Sequence, residues 1–121
     1  MQKLAVIVTS SPLSNLTITA INVVADALSN GINVIGVFFY QNGVLNASKD
    51  IQIPSDEFQI LQAWHNLHIQ HNVALHLCIT AGEKRGLVCE SENNNIDDAF
   101  TVSGLGELVE LTSKADRVLQ L

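Results

Sequence analysis

Cys78 is the residue whose type and position best fit covalent chemistry in this sequence. It closes the apolar run 73–78 (VALHLC), and the segment 79–86 (ITAGEKRG) that follows predicts a turn into a short helix. Unsatisfied N–H groups at the start of a helix, and the positive end of its dipole, favour the nucleophilic thiolate over the thiol. Lys84 and Arg85 would add positive charge if the chain folds them back. The alternative is an inert packed thiol, because free cysteines are among the most buried residue types.

The second cysteine, Cys89, lies in a different environment. Its acidic neighbours Glu90 and Glu92 disfavour a thiolate, so we interpret Cys89 as incidental, with a resolving thiol as the alternative. A disulfide between the two cysteines stays open, because Cys78 is predicted on a strand and Cys89 beyond a helix. In the cytoplasm both thiols would be reduced.

Four histidines raise the question of a metal site: His65, His68, His71 and His76. Histidine pairs that bind zinc from one helix stand four residues apart, whereas the first three here are spaced by three and have no supporting cysteine pair. We therefore expect surface or rim histidines and no metal site.

Two loops have features that could suit a phosphate group. The loop 9–15 (TSSPLSN) is rich in hydroxyl groups and opens a helix, which would suit a phosphate or flavin mononucleotide, but it lacks the glycine that close approach of backbone to phosphate usually needs. Helix capping is the simpler interpretation. The segment 103–106 (SGLG) has two glycines but not the third of a dinucleotide fingerprint, and it predicts a turn. We expect no organic cofactor.

The order of the elements predicts an α/β fold. Apolar runs indicate strands at 4–9, 32–40 and 73–79, a brief strand or turn at 99–102 and a final strand at 117–121. Helices are predicted at 15–30 between Ser14 or Asn15 and Gly31, from Ser55 with Asp56 and Glu57 in the first turn, at 79–87 and at 105–113. The result is one three-layer α/β/α domain over residues 1–121, with a mainly parallel sheet of about five strands.

Composition limits the possible partners and locations. With 47% hydrophobic and 15% charged residues, the 121-residue chain is expected to hide surface in an oligomer, and residues 38–45 are the candidate contact. A net charge of −6 argues against direct binding of nucleic acid. No apolar run approaches the roughly 20 residues that cross a bilayer, and the N-terminus reads as a strand and not a signal peptide. We expect a cytoplasmic protein without a membrane anchor.

Several segments together resemble the TusD/DsrE family of sulfurtransferase subunits. They are 37–47 (VFFYQNGVLNA), 55–64 (SDEFQILQAW), 71–78 (HNVALHLC) with Lys84 to Gly86, and 100–106 (FTVSGLG) with 116–118 (DRV). The resemblance runs in order from Leu4 to Leu121, and the segments 9–16 and 90–98 fit least well. It implies a DsrE-like fold and places the working cysteine at Cys78.

The resemblance also implies a pathway and partners. Cys78 would accept persulfide sulfur from a TusA-like donor and pass it to a TusE-like acceptor, for 2-thiolation of the wobble uridine of tRNA. TusB-like and TusC-like subunits would complete a heterohexamer, for which self-association could substitute. The alternatives are a DsrE-like subunit in dissimilatory sulfur oxidation, which uses the same cysteine, and a non-catalytic scaffold in which Cys78 is only packed.

Overall fold

The computed structural model describes residues 2–87 and 94–121, which fold into five strands and four α-helices. The strands are β1 Lys3–Val8, β2 Asn33–Phe39, β3 Leu75–Cys78, β4 Phe100–Ser103 and β5 Arg117–Gln120. The helices are α1 Asn15–Ser29, α2 Ile60–His71, α3 Ile79–Lys84 and α4 Leu105–Lys114, and a 3₁₀ helix spans Gln41–Ala47.

The five strands form one sheet in the order β4-β3-β2-β1-β5, and every neighbouring pair is parallel. From β1 to β4 each new strand is added on the same side of the previous one, whereas β5 is added at the opposite edge, beside β1. Because connections between parallel strands are right-handed, α1, α2 and α3 lie on one face of the sheet and α4 lies on the other. Contacts agree with this layering, since α1 packs against α2, while α4 contacts β1 and β2. The predicted three-layer α/β/α fold is therefore confirmed.

The aromatic part of the core lies between the sheet and α2. Phe39 is fully buried, with its ring 5.0 Å from the ring of Trp64 and 5.1 Å from that of Phe100, in edge-on packing. The indole nitrogen of Trp64 donates to the side-chain oxygen of Asn46 at 3.2 Å, and the Asn46 amide donates to the Gly43 carbonyl at 2.8 Å. This buried polar node fixes the 3₁₀ helix against α2, because an unpaired indole or amide would be costly there.

The ends of α1 follow the sequence prediction. The Ser14 hydroxyl accepts from the Leu16 amide at 3.2 Å, which satisfies a backbone donor at the start of the helix. Gly31 follows the helix with φ of +76°, a conformation that glycine adopts without strain.

The predicted start of α2 at Ser55 is wrong. Residues 55–57 form a turn closed by a hydrogen bond from the Glu57 amide to the Pro54 carbonyl, 2.9 Å, and the helix begins at Ile60. Phe58 is 46% exposed and lies outside the helix, whereas Ile60 is buried. Burial of Ile60, Trp64 and Leu67 sets the helix register, and it outweighs the local preference of serine and acidic residues for a first turn.

The interpretation of residues 38–45 as a contact surface is also wrong for most of its apolar side chains. Phe38, Phe39 and Val44 are fully buried within the single chain, so they are unable to cover a partner. Tyr40 and Leu45 are half-buried. Phe38, Phe39 and Val44 belong to the core of the domain, and Tyr40 packs against it.

The carboxyl ends of β1 and β2 are packed tightly. A Cβ atom on Gly43 would lie 1.9 Å from the Val8 carbonyl oxygen, so the 3₁₀ helix reaches β1 only because this residue is glycine. The amide and the hydroxyl of Thr9 both donate to the Leu121 carbonyl, at 3.3 and 3.2 Å, which joins the ends of β1 and β5.

None of the helices in the described part of the chain is both long enough and apolar enough to cross a membrane.

Candidate functional site

Cys78 is both the last residue of β3 and the N-cap of α3. The predicted arrangement of a strand end followed directly by a helix start is therefore confirmed. The residue is only 2% exposed, yet it lines a cleft of about 220 Å³ at the carboxyl edge of the sheet. Cys78 thus lies in the wall of an open space, although little of its surface is exposed.

The walls of this Cys78 cleft come from four parts of the chain. They are the turn after β2, the end of β3, α3 with the residue that follows it, and the start of α4. The lining residues are Tyr40, Gln41, Cys78, Thr80, Ala81, Lys84, Arg85 and Leu105. They meet because the carboxyl ends of parallel strands lie at one edge of a sheet, where open α/β folds bind their ligands.

Arg85 is held in place at this cleft. Its Nε donates to the Asn42 side-chain oxygen at 3.0 Å, and its Nη1 donates to the Ala81 carbonyl at 3.0 Å. Within residues 2–87 and 94–121, neither Arg85 nor Lys84 forms an ion pair. The chain thus folds both cations back towards Cys78, and their charge is available to an anion in the cleft.

The turn that supplies Tyr40 and Gln41 is fixed by its backbone. Gln41 has a φ of +51°, which is uncommon for a residue other than glycine. The Tyr40 amide donates to the Val8 carbonyl at 3.0 Å, and the Gly43 amide donates to the Tyr40 carbonyl at 2.9 Å. These bonds on either side of Gln41 hold this wall of the cleft in one position.

A polar cluster is centred on His76, which lies on β3 two residues before Cys78. The Nδ1 atom of His76 is 3.1 Å from the Ser103 hydroxyl, and its Nε2 atom is 3.5 Å from a carboxylate oxygen of Glu107. Ser103 ends β4 and Glu107 lies in the first turn of α4. The imidazole therefore links three elements near the cleft.

The other histidines have separate partners. His65 Nδ1 lies 2.9 Å from an Asp97 carboxylate oxygen, and His68 Nδ1 lies 2.9 Å from the Val73 carbonyl, while His71 is exposed. In the described portion of the chain, no three His, Cys, Asp or Glu side chains are grouped so that they could hold a metal ion.

The hydroxyl groups of the loop 9–15 bond within the protein. Ser14 caps α1, the Ser10 hydroxyl lies 2.8 Å from that of Thr17, and the Thr17 hydroxyl donates to the Ser11 carbonyl. These contacts agree with the capping interpretation of this loop. Cys89, Glu90 and Glu92 lie outside the described residues, and so do the predicted roles of Cys89 as an incidental, resolving or disulfide-forming thiol.

A larger groove of about 630 Å³ lies beside β5. It runs between α1 and the fifth strand, and Lys3, Asp26, Ala27, Arg117 and Leu119 are among its lining residues. Among the described residues, those that line this β5 groove include neither cysteine nor histidine. Its size alone does not make it the better candidate for chemistry, since thiol transfer requires a nucleophile.

The chain belongs to the DsrE/DsrF-like family, whose profile matches residues 2–121. It is 41% identical over 100 residues to the sulfurtransferase TusD of Klebsiella pneumoniae, in an alignment that covers 77% of this chain and 78% of that protein. The crystal structure of the ychN protein from E. coli matches with a TM-score of 0.85 over 100% of both chains, at 24% identity, and shows the shared fold. The family resemblance seen in the sequence is confirmed.

Sequence reasoning found Cys78, Lys84 and Arg85 but missed two features of the site. One is the part played by Asn42, which accepts a hydrogen bond from Arg85, and by Leu105, which lines the cleft. The other is the cluster of His76, Ser103 and Glu107. A signal for the second was present, because side chains two apart on a strand share a face, and His76 and Cys78 have that spacing.

Proposed function

We propose that this protein is a sulfurtransferase subunit of a sulfur relay, in which Cys78 carries the sulfur as a persulfide. The observation that carries the proposal is the position of Cys78 in a cleft with two cations, Lys84 and Arg85, which form no ion pair with any other described residue. Membership of the DsrE/DsrF-like family and 41% identity to a sulfurtransferase support the same class of activity.

The reaction has two exchange steps. In the first, the Cys78 thiolate forms a bond with the outer sulfur of a donor persulfide, the donor's S–S bond breaks, and the donor cysteine leaves as a thiolate. In the second, an acceptor thiolate attacks the outer sulfur of the Cys78 persulfide, and Cys78 leaves as the thiolate. Each step exchanges one S–S bond for another, so the chemistry needs neither metal nor external oxidant.

The cleft supports both steps through charge. The attacking and leaving forms of Cys78, and the persulfide itself, are anions, and positive charge nearby stabilises anionic sulfur. Arg85 is positioned by two hydrogen bonds, so it can meet an anion without the cost of ordering a free side chain. Lys84 adds a second charge from the exposed rim.

The sequence resemblance supplies the pathway in this proposal. The donor is a TusA-like protein and the acceptor a TusE-like protein, and the sulfur is finally used for 2-thiolation of the wobble uridine of tRNA. The chain works with TusB-like and TusC-like subunits in the cytoplasm. Its net charge of −6 is in keeping with a protein that hands sulfur to another protein and does not hold tRNA.

One observation favours the alternative of a scaffold subunit, namely that Cys78 is 2% exposed. A packed thiol and a working thiol differ in accessibility from the cleft. The same experiment that tests sulfur transfer can separate them.

The test is intact mass spectrometry after incubation with sodium tetrasulfide. The Cys89→Ser variant should gain one sulfur, about 32 Da, whereas Cys78→Ser should gain none, because Cys78 is the thiol placed in the charged cleft. Loading that follows Cys89 would overturn the assignment. A protein that loads at neither cysteine, and in which Cys78 resists iodoacetamide when folded, would support the scaffold role.

A further inference from the structure

The cluster of His76, Ser103 and Glu107 is adjacent to Cys78, the candidate nucleophile, because of the way β3 and β4 pair. Cys78 and Ser103 are paired positions on the neighbouring parallel strands β3 and β4, so their side chains share a face, with the strands about 4.8 Å apart. His76 lies on the same face of β3, two residues before Cys78. Its side chain is 16% exposed, and Glu107 is the charged group that contacts it in the described part of the chain.

The partners of His76 determine where its protons lie. The Glu107 carboxylate lies 3.5 Å from Nε2, beyond the length of a firm hydrogen bond, and it favours the tautomer with hydrogen on that atom, because a carboxylate only accepts. In that neutral tautomer Nδ1 is an acceptor, and the Ser103 hydroxyl donates to it over 3.1 Å. In this state the oxygen lone pairs of Ser103 are free to accept from a neighbouring donor. When the ring is protonated, Nδ1–H donates to Ser103, and the hydroxyl hydrogen is released to point elsewhere.

We infer that His76 is a positioning residue for Cys78, which acts through Ser103 by orienting its hydroxyl and by taking up the proton that the thiol loses. This inference rests on the proposed function. The thiol proton passes to the Ser103 oxygen while the hydroxyl proton of Ser103 passes to His76 Nδ1. The products are a Cys78 thiolate and an imidazolium paired with Glu107, and the thiolate then enters the exchange described above. In that exchange the Cys78 sulfur is oxidised and the donor cysteine sulfur is reduced by the same two electrons.

The same hydroxyl would serve the return step. After sulfur has been passed on, Cys78 leaves as an anion, and a protonated His76 lets Ser103 donate a hydrogen bond towards it. Glu107 lies in the first turn of α4, and Leu105, which begins that turn, lines the Cys78 cleft. The Glu107 contact thus couples the cleft wall to the same imidazole.

The experiment measures the rate of Cys78 alkylation by iodoacetamide against pH, in the Cys89→Ser background so that only Cys78 reports. The parent sets the reference profile of rate against pH. His76→Gln and Ser103→Ala should both change the shape of that profile in the same way and react about fivefold more slowly near neutral pH, which is the rate equivalent of one hydrogen bond. His71→Gln, at an exposed histidine that ends α2, is the matched control and should follow the parent.

Parent-like profiles in both variants would overturn the inference, and so would a Cys78 that fails to react at any pH. Ser103→Ala decides alone if His76→Gln does not fold, as judged by circular dichroism. Loading with sodium tetrasulfide is followed in the same samples. If the alkylation rates change in both variants as expected but the parent takes up no sulfur, the proposed function is contradicted and the role of His76 stands. If the parent takes up sulfur and neither variant changes that uptake, the role of His76 is contradicted and the proposed function stands.

Discussion

Two concave regions of this molecule contrast in size and in chemistry. The β5 groove has a volume of about 630 Å³, and the Cys78 cleft about 220 Å³. The groove lies between α1, which packs on β1 and β2, and the exposed strand β5. The cleft is formed by four segments that meet at the carboxyl ends of strands. The smaller region brings together a thiol and two cations that form no ion pair among the described residues, and the cluster of His76, Ser103 and Glu107 is adjacent to it by strand register. Convergence of reactive groups, and not volume, identifies the candidate site.

The largest expected effect is on the frame of the cleft. Gly43→Ala should lower the free energy of unfolding by roughly 3 kcal/mol or more, because the new methyl group would meet the Val8 carbonyl oxygen at 1.9 Å. Urea denaturation followed by tryptophan fluorescence measures it, since Trp64 is buried in the core.

The matched control for that change is Gly106→Ala in α4. A Cβ atom there meets nothing within 4 Å, so the substitution should be neutral or stabilise the protein by up to about 1 kcal/mol. Equal stability of the two variants would show that the 3₁₀ helix does not depend on Gly43.

A smaller effect sharpens the comparison between the two regions, since each contains one arginine. Arg85→Ala should slow sulfur loading by about tenfold, the loss of one charge-assisted contact to anionic sulfur. Arg117→Ala removes the same charge from the β5 groove and should leave the loading rate unchanged. Initial rates from intact mass spectra provide the measurement, and equal slowing by the two variants would point to net charge alone.

The smallest effect lies on the exposed face of α4, away from both regions. Lys114 donates to a carboxylate oxygen of Glu110 at 2.6 Å, and this hydrogen bond lowers the pKa of Glu110 and raises the pKa of Lys114. The contribution of Glu110 is present above its unfolded pKa and lost as pH falls through the folded pKa. That of Lys114 is lost as pH rises through its folded pKa.

Glu110→Gln should therefore remove a weak dependence of thermal stability on acidic pH. The change should be too small to resolve at neutral pH, because solvent screens exposed pairs. A large drop in the unfolding midpoint at neutral pH would mean that this pair does more than the exposed geometry indicates.

The sequence was enough to predict much of the fold. Continuous apolar runs located the strands, and the Ser14 cap and Gly31 located α1, because these signals are local and the core demands them. The start of α2 failed because Ser55 fits a turn as well as a cap, and only the burial of Ile60 decides between them. Residues 38–45 were misjudged because an apolar segment has the same composition in a core as at an interface.

The residues of the candidate site also fall into two groups, those that local sequence predicts and those that only the tertiary fold brings in. Cys78, Lys84 and Arg85 are near in sequence, so a strand followed by a short helix was enough to bring them together. Asn42, which holds Arg85, comes from a segment 43 residues away. Leu105 and Glu107 reach the site only because α4 starts where β4 ends, which requires β4 to pair with β3. Such long-range pairing leaves little trace in the local pattern of a single sequence.

The bonds between Thr9 and Leu121 have a consequence for how this fold is used. Open parallel sheets commonly bind nucleotides in the crevice where the strand order reverses, which here lies between β1 and β5. Main-chain and hydroxyl hydrogen bonds close that crevice at its carboxyl end. The candidate nucleophile lies two strands away, on β3, which has a paired strand on each side. A fold that often binds a coenzyme at this crevice here holds one of its own side chains, Cys78, in a fixed position at the same edge of the sheet.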